Sequence, residues 1–589
     1  MDKKNLDNLR HSCAHLLAAA VMELWSDTKR TIGPAIENGF YFDFEFAKPI
    51  SEADFPKIEQ KMREIVKGWK SFERYELTPQ QAKKEYLNNP YKHELIEEFS
   101  KKGEKLTFYK SGNYWDLCRG GHVESPLHLK GVIEHFKLLS IAGAYWRGNE
   151  KNKMLTRIYG TCFPTKEELD KYLWQVEEAK KRDHRKIGEK LELFTINDKV
   201  GQGLILWLPN GTVVKDELEK FAKKTEKKWG YVRVSTPVIT KSGLYYTSGH
   251  LPYYKKDMYP PMKIDKNEEY YLKPMNCPHH HMIFASKPKS YKELPLRLAE
   301  YGACYRYEAS GELFGLMRVR GMTQNDAHIY CSLDQAINEF VDVMKLHEYY
   351  YKLLGITEYH LELALRDPKN KKKYHGDEKM WKLAEDLMRK AVAKTKIKMV
   401  EQIGNAAFYG PKIDFIVKSS IGREFAVSTN QIDLFMGKRF DLKYVDRKGK
   451  EQTPVIIHRA PLGSHERFIG FLLEHYAGAF PLWLSPVQVK VLSISSKQEE
   501  FAKKVNNILL DSEIRSEVDL ESRTVGYKIR ESTLQKIPYM VIIGEKELES
   551  YKVHKVYKVS VRTREGKDLG LQNLYEFIKK LKSQIETFL

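Results

Sequence analysis

The chain of 589 residues has little cysteine, six residues in all. That is too few for a disulfide framework and points to a reducing compartment, the cytoplasm. No apolar run approaches the roughly 18–20 residues that a membrane span needs, so no membrane-embedded segment is expected. The opening Met1-Asp2-Lys3-Lys4 leads directly into a helical pattern that holds histidines. A secretory leader does not read that way. Internal repeats and low-complexity tracts are missing as well, which sets aside solenoids and disordered arrays. What is present is an ordinary globular mixture, 42% hydrophobic and 30% charged. At roughly 100–200 residues per domain, the length predicts about three to five domains. Lysine and arginine number 99 against 79 acids, a net charge of +20. Such an excess suits a polyanion partner, most simply nucleic acid; a merely basic soluble enzyme is the alternative.

The first segment is expected over residues 1–165. Leu6, Leu9, Cys13, Leu16, Leu17 and Leu24 recur at three- and four-residue steps, which predicts a helix. A turn at Ile32-Gly33-Pro34 precedes the aromatic, strand-like Gly39-Phe40-Tyr41-Phe42-Asp43-Phe44. A charged linker helix is expected over 166–190. It carries Lys180, Lys181, Arg182, His184, Arg185 and Lys186. Such a run is ordinarily a solvated helix face; a nucleic-acid backbone contact is the sharper alternative. Residues 191–484 mix strands and helices and suit one large α+β catalytic domain. Residues 485–589 alternate strand and helix, which predicts a small α/β domain with a partly parallel sheet.

Three stretches of the middle segment carry chemistry. A helical pattern over 213–229 ends at Gly230, and Tyr231 to Val238 follows with Pro237 at its end. Proline there suits an edge or an interface. Arg306-Tyr307-Glu308 follows the strand-like Ala303-Cys304-Tyr305, and Arg318 and Arg320 lie beyond a turn at Ser310-Gly311. Gly463-Ser464-His465-Glu466-Arg467 opens a helix. Together and in this order they resemble motifs 1, 2 and 3 of the class II aminoacyl-tRNA synthetases. The words Lys273-Pro274-Met275-Asn276-Cys277-Pro278, Leu316-Met317-Arg318-Val319-Arg320-Gly321, Ala407-Phe408-Tyr409-Gly410-Pro411-Lys412 and Ile457-His458-Arg459-Ala460 resemble the threonyl-tRNA synthetase family. The resemblance covers essentially the whole chain.

That resemblance implies an ATP-dependent ligase joining threonine to tRNA(Thr) through an adenylate, working as a homodimer through motif 1. Adenylation brings a carboxylate up to a phosphate, so fixed cations are needed, and planar guanidinium groups suit both anions. By resemblance Arg306 bridges the two anions and Glu308 accepts from the adenine amino group. Arg318 and Arg467 hold the triphosphate, with Mg2+ neutralising it. Cys277, His328 and His458 bind one Zn2+, and three protein ligands leave an open position. Asp326 accepts from the threonine hydroxyl, while Met275, Gln324, Tyr409, Gln431 and Ser464 line the substrate pocket. A site built to bind a hydroxyl rejects valine far better than an apolar pocket does, but serine keeps the hydroxyl and passes. A hydrolytic second site is therefore expected.

The first segment supplies one. His11 and His15 are one helical turn apart, and Cys118 and His122 repeat the step. Read from the residues, the four are either a zinc site or a histidine-lined pocket without metal. By resemblance the segment is an editing domain hydrolysing seryl-tRNA(Thr) without an obligatory metal, with Lys92 and Asp116 beside the four; Cys13 is read as packing. By resemblance the last domain binds the anticodon, with Glu547 and Arg562 at base-reading positions. The sequence departs from the family at Met322, Ala426, His279, Gly121 and Ser522, and Tyr551 to Ser560 is longer than usual. A small ubiquitin-like domain that many members carry ahead of the editing helix is expected to be lacking. Two rivals remain: an RNA-binding relative without catalysis, and a ligase for serine or proline.

Overall fold

The computed structural model describes residues 2–124, 129, 131, 135–265, 268–370, 374, 378–419 and 421–588. The chain forms two compact units, Met1–Glu177 and Glu178–Leu589.

In the first unit the helix Lys3–Leu24 begins at Asp2, whose carboxylate accepts from the Asn5 N–H. Leu9, Leu16 and Leu17 are completely buried, each contributing about 1.5–3 kcal/mol. They share one core with Phe40, Phe42 and Phe44. These phenylalanines alternate along the strand Gly39–Glu45, which is the period-2 pattern of a strand facing a core. That strand pairs antiparallel with Met154–Cys162, which pairs with Phe136–Tyr145. The short strands Lys29–Arg30 and Ala35–Ile36 also pair with Gly39–Glu45, and Glu73–Leu77, Leu106–Ser111 and Tyr114–Leu117 form a separate three-stranded sheet.

The charged linker is two helices rather than one, Lys166–Lys181 and His184–Lys190. Asp183 interrupts it. Its carboxylate accepts from the Arg185 N–H and starts the second helix, the ordinary preference of aspartate for an N-cap. Nor is the basic run uniformly solvated, because His184 is fully buried.

The second unit is organised on an eight-stranded sheet. Its order is Val232–Arg233, Leu296–Tyr305, Gly321–Cys331, Val455–Ala460, Glu424–Asp433, Lys412–Lys418, Tyr359–Leu365 and Met399–Ile403. The six inner strands pair antiparallel and only the two outermost run parallel to their neighbours. The helix Ala336–Leu353 buries Phe340, Val343, Met344, Tyr350 and Tyr351 in the core below this sheet. The motif 1 strand is two residues long and lies at the sheet edge, where Pro237 just beyond it disturbs no ladder. A five-stranded sheet follows near the end of the chain. Ser516–Asp519, Val489–Ser493 and Tyr539–Ile543 are parallel; Lys558–Thr563 and Asp568–Asn573 add antiparallel strands. The partly parallel sheet expected of the last segment is what forms. No helix among the described residues is long and apolar enough to cross a membrane.

Candidate functional sites

One cavity of about 400 Å3 opens on the eight-stranded sheet of the second unit, and every residue assigned above to adenylation, threonine binding and zinc lines it. Sheet periodicity accounts for the convergence. Gln324, Asp326 and His328 are two residues apart on the strand Gly321–Cys331, so they share a face. His328 stands directly opposite His458 on the next strand, and His458 opposite Gln431 on the one after. Cys277 opens the helix Cys277–Ala285, with Pro278 in its first turn. Ser464 caps the helix His465–Tyr476, accepting from the Arg467 N–H at 3.3 Å. That cap fixes Arg467 one turn into the helix, over the cavity.

Cys277, His328 and His458 are buried, and their donor atoms all lie within 4.8 Å of one another. His458 Nε2 is bonded to Asp433 Oδ2 at 3.2 Å. His328 Nδ1 meets His280 Nδ1 at 2.8 Å, and His280 Nε2 meets Glu300 Oε2 at 3.1 Å. Each imidazole is thus held through one ring nitrogen, an arrangement that suits metal-bound histidines. Burial, with Asp326 and Asp433 nearby, pushes the Cys277 thiol far above its ordinary value. A thiolate there needs a cation beside it, and a sulfur with two imidazoles suits zinc. His279 belongs to no such cluster; both its ring nitrogens are buried without a hydrogen-bond partner. Asp326 accepts from Asn276 Nδ2 at 3.1 Å. Tyr409 donates to Gln431 Oε1.

Three guanidinium groups converge on the same cavity. Arg306 is half-buried and donates to the Pro274 carbonyl at 3.2 Å. Arg467 Nε donates to the Met317 carbonyl at 2.9 Å. Burial first, then Arg306 and Arg318, lower the Arg467 pKa below the usual guanidinium range. Cations crowded this closely favour an anion among them. Arg318 is partnered here by Glu308, at 2.8 Å and 2.9 Å, and by Glu312 at 2.7 Å. Met322 and Ala426 both line the cavity, and Ala426 lends Arg467 its carbonyl at 3.5 Å. The sequence reading missed His250, which is buried against the Met275 sulfur at 3.2 Å and Ser248 at 2.7 Å. Burial and the nearby Arg306 push its pKa down to about 3. A lone histidine after Ser-Gly carries no periodic signal that would have marked it.

The first unit holds a second cluster. The donor atoms of His11, His15, Cys118 and His122 lie within 4.8 Å of one another. His122 stacks on His11 at 4.5 Å between ring centres and meets His15 edge-on, also at 4.5 Å. Beside them Lys92 and Asp116 form a buried ion pair at 2.8 Å. Arg30, at 3.2 Å, and the hydroxyls of Tyr86, at 2.6 Å, and Tyr114, at 3.1 Å, also engage this carboxylate. These three partners come from separate stretches and had no local signature. Burial pushes the Asp116 pKa up, but Lys92 and Arg30 outweigh it and hold the group ionised below its usual value. Gly121 has φ +84°, a conformation closed to proline, and its carbonyl meets His11 Nδ1 at 3.1 Å. The departure from the motif's usual proline therefore fits this turn.

Burial depresses all three imidazoles. His122, with His11 adding to the effect, falls to about 3, and His15 lies well below its ordinary value. Burial also lifts the Cys118 thiol to about 12. Folded, these histidines stay neutral where the unfolded chain, at about 6.5, takes protons. Their neutral burial is thus tolerated fully above about pH 6.5, and stability is lost as pH falls below it, toward about 3 for His122. For the buried His15 alone the slope is about 1.4 kcal/mol per pH unit. Thermal unfolding of the full chain between pH 8 and pH 5 is expected to show a midpoint falling below about pH 6.5, above the carboxylate range. A midpoint flat to pH 5 would count against the buried neutral cluster.

In the last segment Glu547 is buried. Its carboxylate accepts from the Gly544 N–H at 2.8 Å and from the Ser560 hydroxyl at 2.6 Å. Each oxygen is thus oriented by one bond within the protein and keeps a further lone pair. Arg562 is half-buried and two residues beyond Ser560 on the same strand, hence on the same face.

Comparison with known proteins places the chain in a family. The family model described as "tRNA synthetase class II core domain (G, H, P, S and T)" matches residues 254–476. "Anticodon binding domain" matches 488–584, and "Threonyl and Alanyl tRNA synthetase second additional domain" matches 106–159. The chain is 49% identical to the threonine–tRNA ligase of Deinococcus radiodurans over 95% of its own length and 85% of the relative's. It is 46% identical to that of Thermus thermophilus over 97% of its length and 87% of the relative's. Among solved structures, the RNA-binding domain of threonyl-tRNA synthetase from Cryptosporidium parvum superposes with a TM-score of 0.64 at 38% identity. That match covers 68% of this chain and 98% of the other.

Proposed function

The chain belongs to the threonyl-tRNA synthetase family, and from that premise we propose that it charges tRNA(Thr) with L-threonine and hydrolyses mischarged seryl-tRNA(Thr). One observation carries the reading. Three convergent guanidinium groups and a sulfur–imidazole–imidazole donor set open into a single cavity. In this reading Arg306 holds the amino-acid carboxylate against the α-phosphate. Arg318 leaves Glu308 and Glu312 for the triphosphate, and Glu308 then turns to the adenine amino group. Arg467, already fixed by its backbone contacts, closes over the nucleotide, which enters with Mg2+. Cys277, His328 and His458 would hold zinc, which supplies when bound an open Lewis-acidic position for an amine and a hydroxyl. Asp326, held by Asn276, accepts from the threonine hydroxyl. Gln324, Gln431, Tyr409, Met275 and Ser464 shape the remainder of the pocket.

Editing is assigned to His11, His15, Cys118 and His122. The neutral imidazoles position a water for attack on the ester, which is already activated, and the water's proton passes to the departing ribose oxygen. Lys92 and Asp116 brace the site. The anticodon falls to the last segment, where Arg562 supplies donors and Glu547 an acceptor to base edges. A homodimer through motif 1 is supported by the edge position of Val232–Arg233 and by exposed Val232, Val238 and Ile239. The cysteines are all unpaired thiols, which agrees with work in the cytoplasm.

Amino-acid-dependent ATP–pyrophosphate exchange tests the reading. Exchange is expected with threonine, more weakly with serine, and with valine at a level lower by about 10⁴-fold or more. No exchange in zinc-replete protein would leave the RNA-binding rival in its place.

A further inference from the structure

The basic run of the linker contains a residue that behaves unlike its neighbours. His184 is fully buried and both its ring nitrogens are engaged. Nδ1 lies 2.8 Å from Glu474 Oε1 on the motif 3 helix. Nε2 accepts the backbone N–H of Leu316 at 3.1 Å. Because that amide can only donate, Nε2 is unprotonated and Nδ1 carries the hydrogen, donated to the carboxylate. Glu474 is held from its other side by Arg423 at 3.1 Å.

Leu316 lies in the motif 2 turn. There Phe314 and Arg318 exchange backbone hydrogen bonds of 3.2 Å and 3.3 Å. The packing leaves this turn little room. A Cβ on Gly315, whose φ is +49°, would stand 2.3 Å from His184 Nε2. A Cβ on Gly470 of the motif 3 helix would stand 3.1 Å from Leu316 Cβ. Arg185 lies over the Phe314 ring at 4.5 Å. The next residue, Met317, gives its carbonyl to Arg467 at 2.9 Å. Two successive residues of the turn are thus anchored, Leu316 through His184 to Glu474 and Met317 by Arg467 on the same helix.

We propose that His184 is a positioning residue for ATP. It pins the motif 2 turn to the motif 3 helix and so sets Arg318 and Arg467 at the spacing that a nucleotide bridges. This rests on the reading of the cavity as the ATP site. The imidazole touches no substrate; it acts through the backbone at Leu316.

The two nitrogens allow a selective test. His184→Asn retains a donor near the Nδ1 position and loses the acceptor for Leu316. His184→Gln retains an acceptor near Nε2. With the full-length protein, exchange kinetics and equilibrium binding of ATP are measured for both variants and for Gly315→Ala. His184→Asn and Gly315→Ala are expected to raise the KM and Kd for ATP about tenfold, the size of one hydrogen bond. The KM for threonine should stay within about twofold, and His184→Gln, which keeps the Leu316 bond but loses the donor to Glu474, should recover part of the ATP affinity. Seryl-tRNA hydrolysis in the other unit serves as the fold control and is expected to be unchanged, while the unfolding temperature is expected to fall in His184→Asn and Gly315→Ala. ATP affinity equal to wild type in His184→Asn would overturn the assignment. So would equal losses for ATP and threonine in that variant. A wild type that neither exchanges nor binds ATP would overturn the parent reading and this one with it.

Discussion

Cys277→Ala is expected to strip bound zinc from the protein and to lower threonine-dependent exchange by about 10³-fold or more, given what a hydroxyl-reading site contributes. The donors come from three separate elements, the first turn of one helix and two adjacent strands, and nothing else in the described cluster can replace the sulfur. Two imidazoles alone make an incomplete site. The outer shell would survive the change, since Asp433 and His280 orient His458 and His328 independently of Cys277. The loss should therefore appear in metal content and in the threonine step. Hydrolysis of pre-formed seryl-tRNA belongs to the other unit and should persist. Zinc analysis beside exchange assays checks this; full-rate exchange in the variant would sink the account of threonine selection.

The paired change His11→Ala, His15→Ala is expected to slow seryl-tRNA hydrolysis by about 10²-fold or more, the usual contribution of a positioned proton transfer. Threonine activation should be untouched, so the variant should accumulate seryl-tRNA in a full charging assay. This pair is a cleaner probe than Lys92 or Asp116. Lys92 is buried against Asp116 at 2.8 Å, and removing one partner of a buried pair costs about 3–5 kcal/mol in folding. A lost activity there would report on stability as much as on chemistry. The two histidines leave no buried charge behind, because the fold holds them neutral. Undiminished clearance of seryl-tRNA would refute the assignment of this cluster.

Local order was legible wherever the chain's own periodicity carried it. The spacing of Gln324, Asp326 and His328 puts them on one face of a strand. Serine before the helix at His465 makes an N-cap that aims Arg467, and alternating phenylalanines in 39–44 predict a strand against a core. The motif words, met in order, then supplied the family, and with it the residues that line the cavity. One local reading went astray because competing short-range chemistry was stronger: Asp183 caps a new helix where one continuous helix was expected.

By itself, then, the sequence determined the elements, their faces, the order of the domains and the family. Tertiary structure alone decided which faces meet. His328 lies opposite His458 only because two strands more than a hundred residues apart align in that register. Arg30, Tyr86 and Tyr114 join Asp116 only in the folded unit, Arg318 pairs with Glu308 and Glu312, and His184 leaves a basic run for the core. The reason is physical. Periodicity encodes the side on which a residue lies, a property of a few adjacent bonds. Register and partnership depend on the packing of the whole unit, to which every element contributes and no single stretch carries the answer.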